Sequence, residues 1–195
     1  MSRPVFGIRA DARIFLGKLL GAGWARNLGI TGSFNTMFAG KYTHEVTQEA
    51  FASSMHQWDA GLCYRLAFEE APLAPTFLFR GGVGSVQSSI AAQAQDMVSA
   101  GYLYPFVGLE LHLMLARPTV RVFLSASHFF TVALSEDLSG SGLGYRVAAG
   151  IEFDLFDALV LGLGYDRMTM FIDEDTMGKT SDTYSGFFLR AGWRF

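Results

Sequence analysis

The chain ends in SGFFLRAGWRF, residues 185–195. Phe187, Leu189, Ala191, Trp193 and Phe195 share one face of an extended ribbon, and Gly186, Phe188, Arg190, Gly192 and Arg194 share the other. The division follows from the period-two alternation of strand side chains. The last residues of a soluble domain are usually polar and frayed unless something ties them down. An apolar face that runs to a bare aromatic therefore asks what lies against it.

The same alternation recurs along the chain, and nine strands are expected. Over about 5–16, Phe6, Ile8, Ala10, Ala12 and Ile14 stand opposite Arg9, Asp11 and Arg13. Over 24–34, Leu28, Ile30 and Phe34 oppose Thr31 and Ser33, and over 55–68 Trp58, Leu62, Tyr64 and Leu66 oppose Gln57, Asp59, Cys63 and Arg65. Phe77, Phe79 and Val83 face away from Arg80, Gly82 and Gly84 over 76–87. Leu103, Val107, Leu109, Leu111 and Leu113 are set against Tyr104, Gly108, Glu110 and His112 over 102–115. Over 119–134, Val120, Val122, Leu124 and Phe130 oppose Arg121, Ser125 and Ser127. Tyr145, Val147, Ile151 and Phe153 oppose Arg146, Gly150, Glu152 and Asp154 over 143–155. Over 158–172, Leu159, Leu161, Leu163 and Tyr165 oppose Gly162, Gly164 and Asp166, and the C-terminal stretch is the ninth strand.

Strands of this length exceed the usual five or six residues of globular sheets, whereas a tilted membrane strand needs about 9–11. Apolar-out, polar-in alternation at that length predicts an all-β, antiparallel up-and-down transmembrane barrel over residues 1–195 as a single domain. A closed form is required because lipid offers no partner to an unpaired backbone edge. A soluble barrel would have to bury many large aliphatics inside and would carry more lysine outside; only Lys18, Lys41 and Lys179 are present.

Composition narrows the function. Charged residues are 17% of the chain against a usual quarter or so, with 22 glycines and 18 phenylalanines. A net charge of −3 argues against a nucleic-acid partner, which calls for a basic patch. No apolar run is long enough for a membrane helix. The N-terminal MSRPVFGIRADARIFL is interrupted by Arg9, Asp11 and Arg13, unlike a secretory signal. Cys63 is the only cysteine, so neither a disulfide framework nor a zinc spacing exists.

Expected connections alternate long (35–54, 88–101, 135–142, 173–183) and short (17–23, 69–75, 116–118, 156–157). In outer-membrane barrels the long loops lie outside and the short turns are periplasmic, which places Phe195 on the periplasmic side. The long segments hold Glu45, Glu49, Asp96, Glu136, Asp137, Asp173, Glu174, Asp175 and Asp182. Trp24, Trp58, Tyr64, Phe68, Phe77, Tyr145, Tyr165, Phe171 and Trp193 lie toward strand ends, as interfacial aromatic girdles do.

FFLRAGWRF resembles the C-terminal signal of Gram-negative outer-membrane β-barrels, in which alternating apolar residues end in an aromatic. The matching positions are Phe187, Leu189, Ala191, Trp193 and Phe195. The segment pattern extends the likeness over nearly the whole chain, closest in style to small barrels of the OmpA transmembrane-domain and OmpX type. The resemblance implies recognition of this last strand by the barrel-assembly machinery, outer-membrane lipid as surroundings, and an outer-membrane location. It also implies an even strand number, eight to ten, with both termini periplasmic. Nine strands then call for an upstream strand and signal peptide ahead of this chain; were the nine to close alone, the first and ninth would pair in parallel.

The inward face would carry Arg9, Asp11, Arg13, Asp59, Arg65, Arg80, Glu110, Arg121, Arg146, Glu152, Asp154, Asp166, Arg190 and Arg194. Buried charges are costly unless paired, and arginine suits pairing because its fork grips carboxylates. A structural ion-pair filling, with glycines opposite large side chains, is the leading expectation; a charge-lined pore is the alternative. Barrels of nine or ten strands lie near the filled end of the range.

No catalytic constellation is legible, and neither enzyme activity nor a cofactor or metal is expected. Ser127 and His128 point to opposite faces, Glu110 and His112 read as interior neighbours, and His44 and His56 are scattered. DEDTMGKTSD, 173–182, reads as a solvated acidic loop without EF-hand spacing. The expected role is structural or one of surface-loop interaction, followed by a narrow pore for ions or small solutes and then by a lipid-modifying enzyme.

Overall fold

β-Branched and aromatic residues alternate with glycine, serine and charge along most of the chain, and such segments fit a pleated surface with two unlike faces. In a computed structural model they pair into a closed barrel. The structure describes residues 5–17, 23–43, 50–68, 70, 73–90, 100–116, 120–133, 140–155, 159–174 and 178–194. Nine strands follow one another around the barrel in chain order. They are β1 (Val5–Phe15), β2 (Leu28–Thr43), β3 (Ala50–Ala67), β4 (Thr76–Ile90), β5 (Ala100–Ala116), β6 (Val120–Ala133), β7 (Gly140–Leu155), β8 (Leu159–Glu174) and β9 (Gly178–Arg194).

Successive strands are antiparallel, and β1 closes on β9 in parallel through the register Phe6↔Phe187, Arg9↔Arg190 and Arg13↔Arg194. The barrel is thus antiparallel throughout except for one parallel seam, the arrangement expected if nine strands close alone. An odd number of up-and-down strands leaves the first and last pointing the same way, so closure requires one parallel seam. The tenth strand that an even count demanded is not needed to close the sheet. The start of β1 lies at the rim of the β2–β3, β4–β5, β6–β7 and β8–β9 connections, and the end of β9 lies at the opposite rim.

Two further differences concern boundaries. Residues 24–27, expected as the start of a strand, form a 3-10 turn with Ala25 buried and Trp24 exposed. Strands also run farther into the segments expected as long loops: Lys41, Asp173, Glu174, Lys179 and Asp182 stand in paired strand backbone. Alternation of hydrophobicity stops where the apolar layer stops, whereas ladder hydrogen bonding between antiparallel neighbours needs no apolar side chain. Glu45, Glu49, Asp96, Glu136, Asp137 and Asp175 lie outside the described residues.

At the opposite rim, the turn between β3 and β4 is tied down by backbone hydrogen bonds within itself and from β5. Phe68 N–H donates to the Pro75 carbonyl at 3.0 Å, and Met114 N–H donates to the Leu73 carbonyl at 2.7 Å. Leu73 and Ala74 there take left-handed φ values of 61° and 37°, a conformation costly for non-glycine residues.

The faces are inverted relative to a soluble protein. Ile8, Leu62, Val107, Leu124 and Leu189 are each more than half exposed. Arg9, Arg13, Glu110, Glu152, Asp166 and Arg190 are all buried. Leu161, at 40% exposure, faces out as well.

Candidate functional site: the barrel interior

Inward-pointing positions are fixed by the pleat. On β1 these are odd-numbered residues, so Arg9, Asp11 and Arg13 enter the lumen one above another. The cross-strand register sets Arg9 beside Arg190, Glu110 beside Ser125 and Arg121 beside Glu152. Long side chains from both sides of the barrel can then meet across the axis.

Most of them form a central cluster, with two smaller ion-paired groups above and below it. Arg9 Nε donates to Asp11 Oδ1 at 3.0 Å, and Arg190 Nε donates to Asp11 Oδ2 at 2.6 Å. Arg190 Nη1 reaches Glu152 Oε1 at 2.5 Å. Arg13 Nη2 donates to Glu110 Oε1 at 2.6 Å, and the same carboxylate lies 3.6 Å from Arg190 Nη2 and 3.9 Å from Arg80 Nε. His112 stands between two acids, hydrogen-bonded through Nε2 to Glu110 at 2.6 Å and with Nδ1 3.2 Å from Glu152. Higher toward the β2–β3 rim, the Arg146 fork grips both oxygens of Asp166 and lies 3.9 Å from Asp59, which also accepts from Ser33 Oγ at 2.5 Å. Arg121 pairs with Asp154 near the C-terminal rim. Arg65 is not in the network: its guanidinium lies 4.4 Å over the Phe15 ring. The Arg194 side chain lies outside the described residues, as does Phe195. Phe187, Leu189, Ala191 and Trp193 all point outward and are exposed.

Above the ionic layer the lumen changes character. Met37, Met55, Val86, Tyr102, Tyr104, Phe106, Phe129, Met168 and Met170 form one buried cluster, with Tyr184 packed against it. Tyr104 and Phe129 have ring centroids 4.8 Å apart, and the Tyr104 hydroxyl accepts from Gln57 Nε2 at 2.6 Å. A second apolar group, Phe123, Ala148 and Phe188, lies beside the ionic layer, with Arg190 stacked 5.1 Å over Phe123.

Inward aromatics pair with glycines directly across the ladder: Tyr104 with Gly84, Phe129 with Gly144, Phe123 with Gly150 and Phe188 with Gly164. A Cβ at Gly84 would come 2.7 Å from the Tyr104 ring, and one at Gly164 would come 2.6 Å from the Phe188 ring. Each ring occupies the space that a Cβ on its cross-strand partner would need, which is how bulk fits into so narrow a tube. A small cleft lined by Asp11, Arg13, Glu152, Val160, Arg190, Gly192 and Trp193 has room for about one water molecule.

Sequence reasoning placed the charged residues on one face but did not find the Met and Phe cluster. Its members lie among polar residues on the inward face, and only the cross-strand register reveals the glycine opposite each ring.

The chemistry open to this interior is ion pairing. Glu110, His112 and Glu152 bring possible ligand atoms within 4.8 Å of one another. However, their oxygens already accept from Arg13, Arg190 and His112, so a cation there would stand among guanidinium groups and be repelled. Ser125 is buried and His128 faces outward beside Phe130, so the two do not meet. Cys63 is buried in the interior. The side chains of 173–182 lie outside the described residues. Comparison of the chain with protein-family models, with characterised proteins and with solved structures returns no match.

Proposed function

We propose that the chain is an integral outer-membrane β-barrel without enzymatic activity, whose role is structural or lies in presenting the connections at its β2–β3 rim to partners. The observation that carries this reading is the inversion of faces: the aliphatic side is bare and the ionic side is enclosed. Water would penalise that arrangement along every strand, whereas lipid would not. On β1 the outward apolar run 6–14, at about 3.3 Å per residue and tilted by about 40°, reaches roughly 23 Å. That is close to the apolar band of about 25 Å found on such barrels.

The outer face turns polar toward the β2–β3 rim, where His56, Gln87 and Arg167 are exposed and Thr36 Oγ1 lies 2.9 Å from His56 Nδ1. That rim suits the headgroup layer, and by analogy with known barrels it would face outward. The apolar outward side of β9 fits recognition by a barrel-assembly machinery. Met, Phe and Tyr filling one storey and ion pairs the other, among the described residues, support a lumen closed to solutes.

Two measurements test the proposal. Expressed in a Gram-negative host with an export signal, the protein should remain in the outer-membrane fraction after alkaline carbonate washing and need detergent to stay monodisperse. Reconstituted in planar bilayers, it should show no stepwise conductance. Monodispersity in plain buffer would overturn the membrane reading, and reproducible single-channel steps would replace the closed barrel with the narrow pore.

A further inference from the structure

The lumen is not charge-balanced along its length. Among the described side chains, seven inward arginines (9, 13, 65, 80, 121, 146 and 190) face six inward carboxylates (11, 59, 110, 152, 154 and 166). The surplus is concentrated on the wall made by β1, β3 and β4 below the apolar cluster. Arg13, Arg65 and Arg80 project there, and among the described residues Glu110 is the only carboxylate in an ion pair with any of them. That single carboxylate is also shared with Arg190 and His112. Arg80 reaches it only at 3.9 Å, and Arg65 has no carboxylate partner among the described residues.

The consequence is visible atom by atom. Arg13 Nε, Arg65 Nε, Arg80 Nε and Arg80 Nη1 are buried without hydrogen-bond partners. Arg13 and Arg80 are themselves more than nine-tenths buried. Buried N–H donors are almost always satisfied, and an orphaned charged donor is among the most expensive groups a fold can keep. Two of these guanidinium groups have one flat side covered by an aromatic ring, Arg65 by Phe15 at 4.4 Å and Arg80 by Phe106 at 5.9 Å. Stacking takes the face of a guanidinium and leaves its N–H edge available. The other inward neighbours along this wall are short: Gly29 lies beside Cys63 in the ladder, and Gly61 faces Gly82.

We propose that this wall binds one small inorganic anion, of chloride to phosphate size, held between the N–H edges of Arg65 and Arg80 with Arg13 alongside. An anion offers several acceptor lone pairs to donors that the protein leaves unmatched, and its charge offsets the surplus guanidinium that Glu110 cannot neutralise alone. The site does not depend on whether the outer face meets lipid.

The test uses the full chain, folded in zwitterionic detergent and checked for strand signal by circular dichroism. Line broadening is followed by ³⁵Cl NMR in chloride and by ³¹P NMR in inorganic phosphate. A saturable component with one site per chain is expected for at least one of the two anions, and which one responds fixes the size of the ligand. Arg65→Gln should weaken that component at least tenfold, and Arg80→Gln should do the same. Arg65 is only half-buried, so its variant keeps the test valid if Arg80→Gln does not fold. Arg26→Gln, in the exposed 3-10 turn, should leave the component unchanged. Absence of saturable broadening by either anion in the folded wild-type protein would overturn the proposal, and so would saturable broadening that survives Arg65→Gln at full strength.

Discussion

At the scale of single residues, Glu110 holds the ionic layer together, because three guanidinium groups and one imidazole converge on its carboxylate. Glu110→Gln keeps the shape and removes the charge. It removes the carboxylate that Arg13 pairs with among the described residues, and breaking a buried pair from one side costs about 3–5 kcal/mol. Urea-driven unfolding in lipid vesicles should register that loss. Asp154→Asn should cost far less, about 1 kcal/mol or below, because the Arg121–Asp154 pair is partly exposed at the rim and solvent screens it. Equal losses at the two sites would contradict the assignment of a dry, strongly coupled centre. A second residue-scale expectation concerns the rings over glycine. Gly144→Ala places a methyl group in steric overlap with the edge of the Phe129 ring, and overpacking of this kind costs about 1–3 kcal/mol. Phe129→Leu in the same chain should recover part of it. The two changes should therefore be non-additive in a double-mutant cycle, whereas Gly32→Ala, whose nearest neighbour would lie at 3.7 Å, should be close to neutral.

Among the elements, β9 separates a lipid-facing strand from a merely exposed one. Leu189 is 59% exposed, and on a soluble surface Leu189→Arg would be nearly silent. In a bilayer the same change near mid-strand costs about 2–4 kcal/mol, falling toward zero at the interfaces. Leu189→Arg should therefore depress folding into vesicles strongly, and Ser185→Arg, nearer the β2–β3 rim, should do so weakly. A flat response along the strand would remove the case for lipid contact. Alternation made these strands and the faces of their charged residues legible in the sequence, because a period of two survives whatever the partner strand is. What alternation could not supply was register. The inward positions of Phe106, Phe129, Met168 and Met170 follow from parity alone, but their packing as an apolar cluster depends on which glycine lies opposite, a property of two strands together. Strand ends were misplaced for a related reason: Thr43 pairs with Ala50 and Glu174 with Gly178 through backbone groups that carry no hydropathy signal. The pairing of Arg190 with Asp11, 179 positions apart in sequence, likewise exists only once the barrel is closed.

For the whole molecule, closure rests on the seam between β1 and β9, which joins nine residue pairs from Val5↔Gly186 to Arg13↔Arg194. The β8–β9 ladder runs from Leu159↔Trp193 to Glu174↔Gly178, a longer stretch of antiparallel pairing. Parallel ladders are also slightly weaker per residue, so the seam is where the barrel should open first. Two features compensate from within. Arg190 of β9 bonds Asp11 of β1 directly behind the seam, and Arg9 bonds the same aspartate. Ala10 and Ala191 lie opposite each other on the outer face, which allows the seam to be locked without touching the lumen. In a background carrying Cys63→Ser, Ala10→Cys together with Ala191→Cys should oxidise to an intrachain disulfide in the folded protein. The cross-linked form should unfold at a higher temperature than its reduced counterpart, because a covalent loop of this length restricts the unfolded chain. Asp11→Asn should lower the unfolding temperature of the reduced protein and have a smaller effect once the bond has formed, since the disulfide then does the work of the internal ion pair. If a further strand stood between β1 and β9, the two cysteines would be separated by two inter-strand spacings, roughly 10 Å, beyond the reach of a disulfide. Failure to cross-link in a correctly folded sample would therefore show that the nine strands do not close on themselves.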